Sequence, residues 1–158
     1  MHQPTADLLN NFYSAFNRHD PEVMAGCYAP DVVFSDPVFQ TLRGSEPADM
    51  WRMLAGRAKD LKIEFSVLEA TPDSGKVHWD AHYTFAATGR PVLNRIDASF
   101  KLKDGRIVEH HDVFDLWKWT RMALGPMGVL LGWSPLVQNK VRSQAKAGLD
   151  AFRAKKAG

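Results

Sequence analysis

The stretch from Pro91 to Trp117 reads PVLNRIDASFKLKDGRIVEHHDVFDLW, and its centre decides the fold. Asp104-Gly105 stands between two runs in which apolar and polar residues alternate, the strongest short-range signal for a two-residue type I′ hairpin turn. With those two residues as the loop, Lys103 faces Arg106, Lys101 faces Val108, Ser99 faces His110 and Asp97 faces Asp112. Upstream, Thr88-Gly89-Arg90-Pro91 reads as a four-residue turn that pairs Ala87 with Val92. That register sets His82 opposite Asp97 and Asp80 opposite Ser99, so His82, Asp97 and Asp112 are expected to form one cross-strand rung. A slip of one residue would exchange every side chain between the two faces.

Working outward, four extended segments run as a meander over Leu61 to Ala70, Lys76 to Ala87, Pro91 to Lys103 and Arg106 to Trp117. Val77, Trp79, Ala81, Tyr83 and Phe85 make one face of the second segment, and His78, Asp80, His82 and Thr84 the other. In the third, Ile96, Ala98, Phe100 and Leu102 oppose Arg95, Asp97, Ser99 and Lys101, and in the fourth His110, Asp112 and Phe114 fall on the polar side. Such alternation ordinarily means one face in the core and one in water. A solvent face favours Lys, Glu, Thr and Arg, whereas this one concentrates His and Asp, a poor strand former. That composition favours a functional pocket over a solvated face.

Helices precede the meander. Leu8, Leu9, Phe12, Tyr13 and Phe16 recur at helical spacing behind Thr5 as N-cap, and the pattern stops near Asn17. Asp20-Pro21 reads as N-cap and first helical residue of a short helix burying Val23, Met24 and Cys27, ended by a loop at Ala29-Pro30-Asp31. Val32 to Asp36 is a β-branched and aromatic strand closed by Pro37. A third helix takes Ser45 as N-cap, with Met50, Trp51, Leu54 and Ala58 inward. After the meander, Met122 to Trp133 is apolar but broken by Gly125-Pro126, Gly128 and Gly132. It suits a lid, a membrane-touching segment, a subunit interface or plain packing on the sheet. Ser134-Pro135 then opens a helix with Val137, Val141, Ala145, Leu149 and Phe152 in one stripe.

With 158 residues, 45% hydrophobic and 24% charged, the chain is sized for one globular unit with a real core. Neither a secretory-type leader nor a stretch of membrane-spanning length stands out, which makes the cytoplasm the expected location. Cys27 is the only cysteine, so an intrachain disulfide and a cysteine-based zinc site are both ruled out. From Trp117 onward eight Lys/Arg stand against one acid, a balance of +7 within a total of +2. A solvated helix face explains this excess best, and no nucleic-acid module or interleaved aromatic pattern accompanies it. His78, Asp80 and His82 sit close enough on one strand face for two to share an ion, yet no metal site and no cofactor are expected.

Tyr28 to Pro37 (YAPDVVFSDP), Ile96-Asp97 and Asp104 to Asp112 (DGRIVEHHD), in an order of helix, short helix, strand, helix and meander, resemble the nuclear transport factor 2-like superfamily in its SnoaL-like and ketosteroid-isomerase-like branches. The resemblance covers roughly Ala6 to Trp117. It implies an α+β fold: a cone-shaped, curved, mainly antiparallel sheet packed on the N-terminal helices. Residues 1–117 would form the cone domain, and 118–158 a C-terminal helical extension packed on it. It further implies a homodimer through the convex sheet face, which would put Trp79, Tyr83, Ile96 and Phe100 near the interface and the His/Asp face inside the cone.

In the isomerases an aspartate matching Asp36 is the general base and a protonated acid matching Asp97 supports the oxyanion, an arrangement that is itself a standard illustration of a neutral buried acid. The matching tyrosine position falls on Phe12, with Tyr13 beside it. SnoaL-type cyclases have an acid resembling Asp112, and epoxide-hydrolase relatives use two aspartates, matching Asp80 and Asp112, bridged by an arginine whose place is taken by His78. Arg95 is the substitute on a neighbouring strand.

Two carboxylates about 5 Å apart in a low-dielectric cavity do not both ionise easily, so one of Asp97 and Asp112 is expected to hold a proton. A nearby His82 imidazolium would instead make a satisfied ion cluster. The expected function is a cofactor-free acid–base enzyme, of isomerase or polyketide-cyclase type, acting on a small apolar carbonyl compound. Asp36, Asp97 and Asp112 would be catalytic, and Phe12, Tyr13, Phe34, Trp51, His78, Asp80, His82, Arg95, His110 and Phe114 would bind ligand. The alternatives are an epoxide-hydrolase-like enzyme and a non-catalytic module that binds a small ligand or a partner.

Overall fold

The computed structural model describes all 158 residues. α1 (Gln3–Asn17) and α2 (Pro21–Cys27) lead into β1 (Tyr28–Ser35), β2 (Leu42–Arg43) and α3 (Glu46–Arg57). The meander follows as β3 (Lys62–Ala70), β4 (Ser74–Phe85), β5 (Arg90–Lys103) and β6 (Arg106–Val113), and α4 (Leu116–Leu124), α5 (Pro126–Leu131) and α6 (Pro135–Ala157) close the chain. Proline stands in the first turn of α1, α2, α3, α5 and α6, where its missing N–H removes no helical bond. Asp20 and Ser134 cap α2 and α6 as expected, accepting from the N–H groups of Val23 and Val137. α1 starts earlier than expected. Its N-cap is His2, and the Thr5 hydroxyl instead donates to the carbonyl of Thr71 at 2.7 Å.

The architecture is α+β, with one six-stranded sheet in the order β2-β1-β6-β5-β4-β3. All neighbours are antiparallel except β1 and β6. β1 begins at Tyr28, so Ala29-Pro30-Asp31 is extended chain with a register irregularity rather than a free loop. β6 ends at Val113, short of the expected Trp117, because Asp115 caps α4 by accepting from the Lys118 N–H at 3.0 Å.

Two register differences rearrange the site. The Asp104-Gly105 turn forms, with both residues at positive φ, and Leu102 pairs with Ile107. Beyond it the β5–β6 ladder takes in an extra residue at Val108, so Lys101 pairs with Glu109 and Phe100 with His110. This bulge turns His110 and Asp112 to the face shared by Phe100 and Ala98, away from Asp97. The β4–β5 turn lies at Ala86–Gly89, two residues earlier than expected, and closes with Phe85 opposite Arg90. Asp97 therefore faces His78, Asp80 faces Arg95 and His82 faces Leu93. The rung of His82, Asp97 and Asp112 does not form.

The helices pack against one side of the sheet. Leu9, Phe12, Tyr13 and Phe16 of α1 and Met50, Trp51 and Met53 of α3 meet Trp79, Ile96 and Phe100 in one buried cluster. Each such fully buried side chain contributes about 1.5–3 kcal/mol of transfer free energy. The apolar sheet face is thus the inner wall, and the expectation that Trp79, Ile96 and Phe100 lie at a subunit interface is reversed. The larger apolar area takes the helices, and the strand face of His78, Asp80, His82, Arg95 and Asp97 points outward.

Beyond the sheet, α4 packs on β5 and α6 on α3. Leu149 is the buried anchor of α6, while Val137, Val141, Ala145 and Phe152 are only half-buried. Beside that anchor Asp49 draws in Lys156 at 2.7 Å, Arg52 at 2.9 Å and Arg153 at 3.2 Å. No helix is long and apolar enough to cross a membrane.

Candidate active site

Alternation along β1 and β6 places four inward residues together, since Phe34 pairs with His110 and Ser35 with His111 across the parallel ladder. Phe34 and His110 are wholly buried, Asp112 is 4% exposed and Asp36, just past β1, is partly exposed. The two inward carboxylates are thus the half-buried Asp36 and the buried Asp112, near enough for the charge of one to act on the other, and Asp97 has no part in this.

His110 lies among aromatic rings. Phe100 is tilted against it at 4.3 Å between centroids, Phe34 and Phe12 approach edge-on at 5.0 and 5.7 Å, and Trp51 stacks at 6.2 Å. Its nitrogens continue a chain of hydrogen bonds. The Trp51 indole N–H donates to the Tyr28 hydroxyl at 2.8 Å, and that hydroxyl meets His110 Nδ1 at 2.8 Å. His110 Nε2 meets Asp112 Oδ1 at 3.0 Å, and the Trp79 indole N–H reaches the same oxygen at 3.5 Å. Because the Tyr28 oxygen already accepts from Trp51, its own proton is best directed to His110 Nδ1. That assigns the imidazole proton to Nε2, where it donates to the carboxylate. Both bonds to Asp112 fall on Oδ1.

Asp36 differs. Its Oδ1 accepts from the backbone N–H groups of Phe39 at 2.6 Å and Val38 at 2.9 Å, the turn geometry that Asp before Pro37 favours. Burial pushes its carboxyl up to about 6, with the Asp112 charge adding to the rise, while the two N–H groups and His110 oppose it. Burial and the nearby Asp112 charge also hold the Tyr13 hydroxyl well above its usual range. Tyr28 is raised by burial first, against the Trp51 hydrogen bond that lowers it, with the Asp112 charge adding to the rise. The Tyr13 oxygen is fully buried without a hydrogen-bond partner. Tyr83 is raised by burial as well, against the indole N–H of Trp119 at 2.7 Å, with the Asp36 charge adding to it.

Of the residues expected at the site, Asp36, Asp112, Phe12, Tyr13, Phe34, Trp51 and His110 gather on the inner side, and Phe114 is half-buried between the two apolar clusters. Asp97, with a side chain 78% exposed, pairs with His78 at 2.8 Å on the outer face. His78 also meets Asp80 at 2.9 Å, Arg95 reaches Asp80 at 3.5 Å and His82 pairs with Glu64 at 3.6 Å. The hydrogen bond to Asp97 is the largest cause of a raised His78 imidazole. Asp80 and Asp112 stand on opposite faces, so the two-aspartate constellation with Arg95 does not assemble. No group of three His, Cys, Asp or Glu converges as a metal site.

Tyr28, Tyr83 and Trp119 join the site without having been expected there, Tyr83 having been expected at a subunit interface. Tyr28 begins the YAPDVVF stretch, but only the β1–β6 pairing shows that its hydroxyl meets His110. Tyr83 and His82 also line a surface groove of about 390 Å³ with Val92 and Met122. A second depression, about 530 Å³, lies around Asp49 and Arg153, where its polar groups tie α6 to α3.

An α+β architecture of one curved six-stranded mixed sheet packed on N-terminal helices is the cone fold of the nuclear transport factor 2-like class. Within it, the SnoaL-like domain profile matches residues 9–110, and the chain belongs to that family. The fold is shared with a candidate polyketide cyclase from Xanthomonas campestris, at 20% identity over 76% of this chain and 96% of the other, TM-score 0.67. It is shared too with IdmH, a candidate polyketide cyclase from Streptomyces antibioticus, at 24% identity over 77% and 98%, TM-score 0.64. An LEH-like epoxide hydrolase of M. tuberculosis matches at 19% identity over 82% and 96%, TM-score 0.63. No curated protein sequence matches.

Proposed function

We propose that the protein is a cofactor-independent acid–base enzyme of isomerase or cyclase type, acting on a small apolar carbonyl compound. The observation that carries the reading is Asp36, a carboxyl raised to about 6 beside the buried Asp112. A base with that pKa exchanges protons near neutral pH. Asp36 removes a proton from the carbon next to the carbonyl and returns it elsewhere on the substrate. Asp112, anchored through Oδ1 by His110 and Trp79, strengthens Asp36 as a base by its charge. The unpartnered Tyr13 hydroxyl is the available donor to the developing oxyanion, and Phe34, Trp51 and Phe114 supply apolar contact. The fold shared with candidate polyketide cyclases supports this substrate class.

The test is proton exchange in D2O, followed by NMR, at the carbon next to the carbonyl of cyclic enone and β-diketone probes. Wild type should catalyse it, and Asp36→Asn should lower the rate by about 10²- to 10⁴-fold while remaining folded. Undiminished exchange in that variant would sink the reading.

A second reading, a non-catalytic ligand-binding module, is favoured by the completeness of the Trp51–Tyr28–His110–Asp112 chain, which resembles a satisfied structural network. Binding of the same probes without any exchange in wild type would select it. We also propose a homodimer through the outward sheet face carrying His78, Asp80 and Asp97, for which sedimentation equilibrium gives the mass.

A further inference from the structure

We infer that the α4–α5 hairpin and the start of α6 form a docking surface for an anionic lipid bilayer. Met127, Val129, Leu130, Leu131, Trp133 and Leu136 follow one another closely in sequence, and all are exposed, Leu130 at 70% and Leu136 at 82%. Scattered exposed apolar residues need no explanation, but a run of this kind does.

The packing of α5 fixes which side faces out. A Cβ on Gly128 would stand 1.9 Å from the Thr120 carbonyl oxygen, and one on Gly132 would stand 1.9 Å from the Thr120 hydroxyl. The glycine side of α5 is therefore pressed on α4, and the Trp117 indole N–H donates to the Gly128 carbonyl at 3.2 Å. With that side occupied, the large apolar side chains can only turn outward.

Charge selects the occupant. Between Asp115 and Asp150 there is no acid; of the cations there, Arg142 is turned to the Pro37 carbonyl at 2.9 Å and Lys146 to Asp150 at 3.7 Å, which leaves Lys118, Arg121 and Lys140. Lys140 follows Leu136 by one turn of α6, on the same helix face. Arg121 lies over the Trp117 ring at 4.6 Å, and Lys118 is exposed on the same helix, α4. Exposed indoles, aliphatic side chains and flanking cations are the composition of a segment that rests in the headgroup layer. A second copy of the chain on a two-fold axis would bring these cations against their own mates, with no acid to offset them. The surface stands whether or not Asp36 and Asp112 catalyse a reaction.

The full-length protein is to be sedimented with phosphatidylcholine vesicles and with vesicles in which phosphatidylglycerol replaces part of the phosphatidylcholine. Wild type should pellet with the anionic vesicles and be released by salt. Lys118→Gln with Lys140→Gln should weaken binding about fivefold per cation removed. Val129→Ser with Leu130→Ser should weaken it about tenfold or more, with an unchanged thermal midpoint, because both side chains are exposed. The inference is overturned if wild type stays in the supernatant with both vesicles. It is equally overturned if the serine pair binds like wild type, or if that pair instead dissolves a lipid-independent dimer or a complex with an acidic protein.

Discussion

His110 Nε2 lies 3.0 Å from Asp112 Oδ1, and neither side chain is more than 3% exposed. The contact exists because the β6 bulge at Val108 turns both residues inward, and Tyr28 completes it from β1. Tyr28→Phe would leave His110 Nδ1 and the Trp51 indole N–H buried without partners. The expected loss is about 2–4 kcal/mol, read from urea unfolding.

Tyr13→Phe provides the contrast. Its hydroxyl is buried without a partner, so removing it should leave stability unchanged or raise it by about 1 kcal/mol. If that hydroxyl meets the substrate, exchange activity falls while stability does not. A destabilised Tyr13→Phe protein would show that the oxygen has a partner in solution.

Asp36 should make stability depend on pH. Its folded pKa, about 6, lies above the unfolded value near 4, so the folded state holds more protons over that interval. Stability therefore falls as pH rises from about 4 to 6, and allowance for partial exposure of the group leaves about 1–2 kcal/mol. Asp36→Asn should remove that slope in denaturant titrations run across the interval from about pH 4 to about pH 7. A slope that survives in the variant assigns the titration to another group.

Gly128→Ala should disrupt the α4–α5 hairpin, since the methyl group would overlap the Thr120 backbone, which has no side-chain freedom to yield. A cost of about 2–4 kcal/mol is expected in thermal unfolding. Gly56, in α3 with open space around its Cα, is the control, and Gly56→Ala should stabilise by about 0.5–1 kcal/mol.

The elements were legible in the sequence because their signals are local. Asp20-Pro21, Ser134-Pro135 and Asp104-Gly105 each fix a start or a turn within a few residues. Which sheet face turns inward was not legible. The Val108 bulge has no glycine or proline to mark it, yet it carries His110 and Asp112 from one face to the other. The β4–β5 turn is held in place by tertiary bonds, from the Thr88 hydroxyl to the Ala123 carbonyl at 2.6 Å and from Arg90 Nε to the Met122 carbonyl at 2.9 Å. Neither partner lies near the turn in sequence. Asp36 and Asp112 lie toward the same side because β1 and β6 run in parallel with Phe34 beside His110, whereas Asp97 depended on the ladder that shifted.

Asp49 should fasten the C-terminal helix. Its side chain is 5% exposed and lies within ion-pair distance of Arg52, Arg153 and Lys156. Burial pushes its carboxyl up, but the hydrogen bonds from Lys156 and Arg52 outweigh this and hold it below its ordinary value. The sign for stability is opposite to that of Asp36: the contribution is present above the unfolded pKa near 4 and is lost as pH falls through the lower folded value. Asp49→Ala should cost about 2–3 kcal/mol, because Lys156 loses its acid and Arg52 and Arg153 keep only the more exposed Glu22 and Glu46. The loss should be local first, since Leu149 is the only wholly buried residue of α6. Limited trypsin digestion at neutral pH should cut Asp49→Ala within Lys140 to Lys156 before the rest of the chain, and wild type should lose protection of α6 only at acid pH, where pepsin should cut first at its apolar residues Leu149 and Phe152. Equal protection of α6 in both proteins at neutral pH would show that Leu149 alone holds the helix and that the ion cluster adds nothing.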